Sequence, residues 1–418
     1  MTPHSGILSA PDYFPPSERE NGWRVAEPGR LGVDAGLLRQ AVDYHNSHAT
    51  TRSYGGALVI VHKGHIIAEN YVTGELGGPR PWGKATCNDV KSSTKSVFGM
   101  VVGTFLDEYG VKVNLDTPLI GESLAKSLIP QIWDQPITDE RKTRIRVKNI
   151  LSMTSGHDSR EPWLVPSRRR HTLGHVGPYQ MYEYCFGWWR FDGVPAQHRL
   201  LFEPGQGFNY SNFGLELLAL AMRNVSGREV GRYTWDRVLG PIGMPTELRD
   251  NVYREMPYVD DRELNYSDCP GWGVGGSAGC NAYGADGSSS PIGYNTIVGS
   301  TFRCSARDFA RLGYLWLRKG RWGKRQLVPE KWFKQATTRF RRPDGSAPVN
   351  YGYTFWLQDE WEDIPADTFG SRGHNINDCY VIPSLDLVIA RLGNDNPPRD
   401  QRDAFIRDLL TGVVRAVT

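Results

Sequence analysis

The sequence has few cysteines and no motif that groups them. Its six cysteines (Cys87, Cys185, Cys269, Cys280, Cys304 and Cys379) are scattered, and no C-x-x-C pair occurs. Neither cysteines nor histidines cluster at ligand spacing, which argues against a zinc site. Residues 1–20 contain proline and serine but no apolar run resembling the core of a signal peptide. We therefore expect free thiols and a cytoplasmic protein.

Long apolar runs and an excess of one charge are also missing. No window approaches the roughly 18–20 apolar residues that are needed to span a bilayer, and 49 Lys and Arg nearly balance 46 Asp and Glu. The one basic run, at 168–170, is interpreted as a solvated surface segment, with an anion site as the alternative. We therefore expect neither nucleic acid nor a membrane as partner.

The arrangement of predicted elements indicates an α+β fold. Segments 57–61 and 65–70 predict a hairpin that turns at 62–64, and a second strand pair is predicted at 379–382 and 387–392. Helical periodicity lies between these pairs, at 92–109, 147–153, 214–225 and 307–317.

A chain of 418 residues is long enough for two domains. Strands at both ends with helices between them predict a sheet domain that is discontinuous in sequence, with a helical domain inserted. We predict a sheet domain from 26–84 and 290–418 and a helical domain from 85–289. A leader at 1–25 precedes them, and its order is left open.

Ser92-Ser93-Thr94-Lys95 is the first candidate catalytic motif. Residues three apart lie on one face of a helix, so the Ser92 hydroxyl and the Lys95 amine can touch. Serine needs an adjacent base to act as a nucleophile, and the apolar residues that follow predict a helix buried on every side. Alone, the pattern favours a serine that caps a helix beside a solvated lysine. A second S-x-x-K, from Ser123 to Lys126, shows that chance produces it.

Tyr210-Ser211-Asn212 is the second candidate motif, and it follows a Pro-Gly turn. Residues two apart on an extended segment project to the same side. The Tyr210 phenol and the Asn212 amide can therefore face a nucleophile together, as a proton shuttle and a polar anchor. A similar Tyr44-His45-Asn46 lies inside a helical pattern, where residues two apart diverge.

Taken together, the two motifs resemble those of the class C serine β-lactamases. They equally resemble the related D-alanyl-D-alanine carboxypeptidases, esterases and 6-aminohexanoate-dimer hydrolases. The resemblance extends from about residue 55 to 394, with supporting stretches at 150–156, 240–245 and 305–313. It implies the β-lactamase/transpeptidase-like fold, in which an antiparallel sheet is flanked by helices and the active site lies in the cleft beside a helical domain. It implies no metal and no organic cofactor.

The resemblance places the family's third motif, usually Lys-Thr-Gly, at Ser371-Arg372-Gly373, with His374 after it. It implies that Gly373 lets the substrate approach the backbone. It also implies that the N–H groups of Ser92 and His374 form the oxyanion hole. Ser371 stands where β-lactamases usually carry the lysine that binds a substrate carboxylate, and Arg372 and His374 are the candidates to replace that charge. The departure favours the esterase and amide-hydrolase branches.

Three other patterns compete with this assignment. Residues 275–279 match G-x-S-x-G, with Ser277 at its centre, but a Gly/Ser-rich loop follows where the α/β-hydrolase elbow requires a helix. Gly271, Gly273 and Gly276 spell G-x-G-x-x-G, again without a helix. His157-Asp158 resembles part of a triad, but we interpret it as a polar pocket wall or a plain loop.

The resemblance implies a serine hydrolase that cleaves a small-molecule ester or amide. In that mechanism Ser92 attacks the carbonyl, Lys95 and Tyr210 take and relay its proton, and water releases the acyl-enzyme. The residues expected to contact substrate are Asn212, Arg372, Gly373, His157, Trp188 and Trp189. The two tryptophans belong to an aromatic-rich insertion at 161–199, which either covers the cleft or packs as a satellite core. The alternatives are a β-lactamase or D-amino-acid peptidase, and a non-catalytic binding protein; the oligomeric state stays open.

Overall fold

The computed structural model describes residues 13–51, 53, 55–76, 81–130, 137–158, 190–191, 194–195, 199–228, 230–244, 271–272, 298–299, 302–346, 349–358, 361–394 and 398–418. Four sequence predictions lie wholly or largely outside these residues. They concern the insertion at 161–199 with Trp188 and Trp189, the basic run at 168–170, the G-x-S-x-G segment at 275–279, and most of the G-x-G-x-x-G segment.

One six-stranded sheet joins the two ends of the chain. Its strand order is β10-β11-β12-β13-β1-β2, and each neighbouring pair is antiparallel. The strands are β1 Gly56–His62, β2 His65–Val72, β10 Trp356–Leu357, β11 Phe369–Gly373, β12 Asn377–Ile382 and β13 Leu387–Gly393. The central pairing of β1 with β13 brings the first predicted hairpin against the last predicted strand. The sheet is therefore built from strands that are far apart in sequence.

Both predicted strand pairs form, each with a turn that suits its residues. Lys63 and Gly64 connect β1 to β2, and both have positive φ, at 48° and 77°. Two such residues in succession match the right-handed twist of an antiparallel hairpin. Between β12 and β13, Pro383 begins a short 3-10 turn that ends at Asp386 with φ 47°.

Helices cover both faces of this sheet. Helices α1 (Ala35–Thr50) and α9 (Arg399–Val417) pack against each other and cover the face that carries Leu58, Ile60 and Ile389. Helix α7 (Ala306–Leu317) covers the opposite face, which carries Val59, Val388 and Ala390. Alternate residues of β1 and β13 thus serve two separate cores, as the period of two in a strand requires.

Helices α2–α6 lie between the two halves of the sheet in sequence. They are α2 Thr94–Tyr109, α3 Glu122–Leu128, α4 Val147–Leu151, α5 Phe213–Ser226 and α6 Val230–Thr234, which continues as a π-helical turn at Trp235–Leu239. Every residue of α2 from Thr94 to Phe105 is buried. This confirms the prediction of a helix that is apolar on all faces and lies inside the molecule.

A small second sheet supports the start of α2. Its order is β3-β7-β6, formed by Cys87–Asp89, Phe302–Ser305 and Gly271–Trp272. The remaining described elements are the strand pairs β4 Arg190–Phe191 with β5 Val194–Pro195 and β8 Arg321–Trp322 with β9 Arg325–Gln326, helix α8 Glu330–Ala336, and 3-10 turns at Glu18–Glu20, Pro28–Leu31, Lys91–Ser93, Glu140–Arg144 and His374–Ile376.

The segment that begins at Tyr13 packs against α7. Glu18 forms ion pairs with Arg307 at 2.8 Å and with Arg311 at 3.0 Å, and the Arg311 guanidinium also donates to the Pro15 carbonyl at 2.8 Å. Because the Arg311 side chain is fully buried, Glu18 neutralises a charge that would otherwise be costly inside the protein. The described part of the predicted leader is therefore bound to the body of the molecule.

The cysteines that the structure describes lie inside the protein and form no disulfide bond. Cys87, Cys304 and Cys379 are buried, and burial raises the pKa of the Cys304 and Cys379 thiols well above the usual value. Thiols held in this way are poor nucleophiles.

Among the helices described, none has the length and apolar character that crossing a membrane demands.

Candidate active site

Ser92 and Lys95 meet at the start of α2. Ser92 lies in the 3-10 turn Lys91–Ser93 and is half-buried, whereas Lys95 lies in the first turn of α2 with 1% of its surface exposed. Lys95 Nζ donates to Ser92 Oγ at 3.0 Å and to the Gly299 carbonyl at 2.6 Å. The i, i+3 spacing therefore brings the two groups into contact. The amine of this contact lies inside the protein.

The backbone immediately before Ser92 is held in an unusual conformation. Lys91 has φ 53°, a left-handed conformation that costs a non-glycine residue about 1–2 kcal/mol. Asp89 stabilises it, because its carboxylate accepts from the Lys91 backbone N–H at 2.7 Å and from Lys91 Nζ at 3.0 Å. The Thr94 hydroxyl ties the same turn to β7: it donates to the Lys91 carbonyl at 2.5 Å and accepts from the Phe302 N–H at 3.1 Å.

A buried acid holds the segment that contacts Lys95. Glu216, in α5, is fully buried, and its Oε1 accepts from the N–H groups of Val298 at 3.0 Å and Gly299 at 2.9 Å. Burial raises the pKa of Glu216 to about 8, against the lowering effect of those two N–H groups and of Lys95. Gly299 therefore connects a buried acid to a buried amine.

Tyr210 flanks the same amine. Its half-buried ring has its centroid 5.0 Å from Lys95 Nζ, within the range of a cation–π contact. The ring stacks on Trp356 at 5.8 Å between centroids and meets Tyr351 edge-on at 6.0 Å. These aromatic contacts fix the ring orientation and form an apolar wall beside Lys95.

Asn212 occupies the N-cap position of α5 rather than an extended segment. Its φ and ψ of −83° and −26° are helical, because the helix begins at the next residue, Phe213. The side chain nevertheless faces the same region. Asn212 Oδ1 lies 3.3 Å from the position that a Cβ atom on Gly299 would occupy. Tyr210 thus lies beside Lys95, and Asn212 lies beside Gly299.

His157 lies behind this motif, inside the protein. It is 2% exposed, and its Nδ1 lies 3.0 Å from the Ser155 hydroxyl. Its carbonyl accepts from Asn209 Nδ2 at 2.5 Å, and the Asn209 backbone N–H donates to the Met153 carbonyl at 2.9 Å. The segment around His157 therefore anchors the segment that carries Tyr210.

The third motif lies beside the turn that carries Ser92. The Val90 carbonyl oxygen is 2.1 Å from the position where a Cβ atom on Gly373 would lie, so β11 approaches this turn more closely than any side chain permits. The Ser93 hydroxyl donates to the Asn377 carbonyl at 2.6 Å, and Asn377 Nδ2 donates to the His374 carbonyl at 2.7 Å. The buried Asn377 thus connects Ser93, the neighbour of Ser92, to His374.

His374 and Arg372 have different surroundings. His374 is exposed, yet desolvation, together with Lys91 and Arg402, lowers its pKa below the usual value. Arg372 forms an ion pair with Asp403 of α9, and its guanidinium carbon lies 5.5 Å from the centre of the Trp356 ring. Ser371 is fully buried. The charge of Arg372 is therefore already engaged by an acid of the protein itself.

The second S-x-x-K motif and the Tyr44-His45-Asn46 motif are not part of this cluster. Lys126, from the second S-x-x-K, is exposed on α3, and Tyr44 and Asn46 lie within α1 on the far side of the sheet. Trp188, Trp189 and Ser277 lie outside the described residues. Among those that are described, no three His, Cys, Asp or Glu side chains come together in a way that would hold a metal ion.

Sequence reasoning missed Glu216 and Gly299. The available signal for Glu216 was an acid within the apolar run 215–222 of α5, where a buried charge requires a specific partner. For Gly299 no local signal exists, because its contact with Lys95 joins residues 204 positions apart.

Three comparisons relate the chain to known proteins. The Beta-lactamase family model matches residues 37–412, whereas a comparison with curated proteins finds no match. One similar solved structure is a provisionally assigned 6-aminohexanoate-dimer hydrolase from Bacillus anthracis (14% identity, 86% of this chain and 78% of that chain, TM-score 0.59). A novel penicillin-binding protein homolog from Caulobacter crescentus is also similar (17% identity, 94% and 97%, TM-score 0.58). So is a family VIII carboxylesterase (16% identity, 90% and 97%, TM-score 0.57).

Proposed function

The chain belongs to the β-lactamase family and has its β-lactamase/transpeptidase-like fold, and from this premise we propose that it hydrolyses small-molecule esters or amides through an acyl-enzyme on Ser92. The contact of the buried Lys95 amine with the Ser92 hydroxyl, at 3.0 Å, is the observation that carries the proposal. A buried amine with few water contacts is the setting in which lysine can act as a base.

The proposed reaction has two balanced steps. In the first, Ser92 Oγ bonds to the substrate carbonyl carbon while its proton passes to the Lys95 amine. The bond to the alcohol or amine leaving group then breaks, and the leaving group takes the proton through Lys95 and Tyr210. In the second, water bonds to the acyl carbon and gives a proton to Lys95. The bond between that carbon and Ser92 Oγ breaks, and Lys95 returns the proton to Ser92 Oγ as the carboxylic acid leaves.

The N–H groups of Ser92 and His374 are proposed to hold the tetrahedral oxyanion. Support comes from the approach of Gly373 to Val90 and from the hydrogen bonds of Asn377 to both segments. These contacts keep the end of β11 beside the Ser92 turn, as a two-donor site requires.

The proposed substrates carry an uncharged acyl group. The third motif has a buried serine at 371, and the neighbouring Arg372 is paired with Asp403. A substrate carboxylate would have to compete with Asp403 for that guanidinium. The stacked rings of Tyr210 and Trp356 offer an apolar surface instead. Among the similar structures, the carboxylesterase and the aminohexanoate-dimer hydrolase accord with esters and amides.

The test is intact-protein mass spectrometry after incubation with a fluorophosphonate, together with turnover of a p-nitrophenyl ester panel. The matched variants are Ser92→Ala and Ser123→Ala, which remove the serines of the two S-x-x-K motifs. We expect one adduct, mapped to Ser92. We also expect ester turnover to fall by about 10³-fold or more in Ser92→Ala and to stay unchanged in Ser123→Ala.

Other outcomes would contradict the proposal in distinct ways. An adduct on Ser277, or full turnover in Ser92→Ala, would favour Ser277 of the G-x-S-x-G segment as the nucleophile. Hydrolysis of a chromogenic cephalosporin at a rate comparable with that of a short-chain ester would favour a β-lactamase. A protein inert towards every acyl donor would favour a binding role.

A further inference from the structure

Glu216 is an acid in a place where a helix of this kind normally carries an apolar residue. It lies one turn after Asn212 in α5, is fully buried, and is followed by Leu217 and Leu218, which are also buried. A carboxyl group in such a position is costly unless it makes specific hydrogen bonds. Its Oε1 makes two, from the N–H groups of Val298 and Gly299.

These hydrogen bonds orient the backbone that contacts Lys95. Gly299 donates its N–H to Glu216 at 2.9 Å and accepts from Lys95 Nζ through its carbonyl at 2.6 Å. Lys95 Nζ in turn lies 3.0 Å from Ser92 Oγ. A continuous chain of hydrogen bonds therefore runs from Glu216 through Gly299 and Lys95 to Ser92.

We propose that Glu216 is a positioning residue for Lys95: it holds the Gly299 carbonyl where that oxygen aims the Lys95 amine at Ser92. The inference rests on the proposed function of Lys95 and Ser92 and adds a residue that touches neither of them. Without the Glu216 acceptor, the Val298–Gly299 segment has lost two hydrogen bonds and is free to shift. Displacements of about 1 Å at a reacting group cost on the order of 10²-fold in rate.

The protonation state of Glu216 is consistent with this role. Burial raises its pKa to about 8, so near neutral pH the carboxyl is mainly uncharged. The side chain of Lys95, from α2, acts to lower that pKa. In the neutral form Oε1 still accepts both N–H groups, and Glu216 places no negative charge near the amine. The acceptor oxygen, rather than the charge, is thus what the arrangement requires.

This distinction defines the variants. Glu216→Gln keeps the acceptor oxygen and removes the ionisable group, whereas Glu216→Leu removes the acceptor and keeps the volume. We expect Glu216→Gln to retain nearly the wild-type kcat. We expect Glu216→Leu to lower kcat on the order of 10²-fold with KM nearly unchanged, to slow fluorophosphonate labelling of Ser92, and to shift the acidic limb of the pH–kcat/KM profile.

Leu220→Ala is the matched control for lost stability. Leu220 is fully buried on the same helix, and truncating it costs about 2–5 kcal/mol without changing the acceptor for Gly299. We expect its folded fraction to have the wild-type kcat and pH profile. Wild-type kcat and labelling in Glu216→Leu would overturn the inference. So would equal losses of kcat in Glu216→Gln and Glu216→Leu, or in Leu220→Ala.

If Glu216→Leu does not fold, Glu216→Asp decides the matter. This variant keeps a carboxyl group but moves its acceptor oxygen away from the Gly299 N–H by one methylene, so we expect a lower kcat. A folded Glu216→Asp protein with the wild-type kcat would overturn the inference. Ser92→Ala separates the two proposals. Full turnover in Ser92→Ala would contradict the proposed function itself, whereas lost turnover there with an unaffected Glu216→Leu would contradict only the role of Glu216.

Discussion

Gly373 lies directly against the carbonyl oxygen of Val90, and a Cβ atom at position 373 would be 2.1 Å from that oxygen. The φ of Gly373 is −116°, which any residue adopts. Space, rather than backbone conformation, therefore requires glycine here. Because Val90 precedes the turn that carries Ser92, this contact sets the distance between the proposed nucleophile and the end of β11.

Replacing this glycine should damage both stability and activity. We expect Gly373→Ala to destabilise the protein by about 1–3 kcal/mol, since the atom that it meets belongs to the backbone. Ester turnover should fall on the order of 10²-fold, because the Ser92 turn and β11 must move apart. Urea unfolding and kcat/KM measure the two effects. Gly29→Ala, where no atom lies within 4 Å of the new Cβ, should change neither; normal turnover in Gly373→Ala would contradict the proposed oxyanion site.

The two S-x-x-K lysines should behave in opposite ways. Lys95→Met keeps the side-chain length in a buried site but removes the base, and we expect kcat/KM for an ester to fall by about 10²–10⁴-fold. Lys126→Met, on the exposed surface of α3, should leave kcat/KM unchanged. Steady-state kinetics with a p-nitrophenyl ester compare them. Wild-type turnover by a folded Lys95→Met protein would show that another group takes the Ser92 proton.

The pairing of Arg372 with Asp403 should control selectivity against charged substrates. We expect Asp403→Ala to release the guanidinium and to lower KM for an acyl donor that carries a carboxylate roughly tenfold, equivalent to about 1.4 kcal/mol. KM for a neutral ester of the same size should not change. Adding Arg372→Met to Asp403→Ala should abolish the gain. An unchanged KM for the anionic donor in Asp403→Ala would show that Arg372 does not reach the substrate.

His45 should make the protein sensitive to mild acid. Burial, and then the charge of Arg391, lowers the pKa of His45 from 6.5 to about 3. Below pH 6.5 His45 therefore binds a proton in the unfolded chain but stays unprotonated in the folded protein. The free energy of unfolding consequently decreases as the pH falls. The loss is up to about 1.4 kcal/mol per pH unit. Urea unfolding from pH 7 to pH 5 measures it, and His45→Leu should flatten the dependence; an equally steep slope in that variant would assign the effect to other groups.

Features that depend on neighbours in sequence could be predicted from the sequence. The strand-like segments 57–61 and 65–70, with a turn at 62–64 between them, predicted the β1–β2 hairpin. The apolar residues after Ser92 predicted a helix buried on all faces. The contact of Ser92 with Lys95 follows from their spacing of three across the 3-10 turn and the first turn of that helix. In each case the interacting atoms belong to one short segment, whose backbone geometry follows from local preferences.

Only the tertiary structure decided which distant groups complete the site. The contact of Lys95 with Gly299, the support of Gly299 by Glu216, and the approach of Gly373 to Val90 each join separate segments of the chain. The pairing of Arg372 with Asp403 depends on how α9 packs beside β11. Such contacts arise from the packing of whole elements and carry no local signal. For that reason the sequence determined which residues are suited to the chemistry, and the fold decided which of them meet.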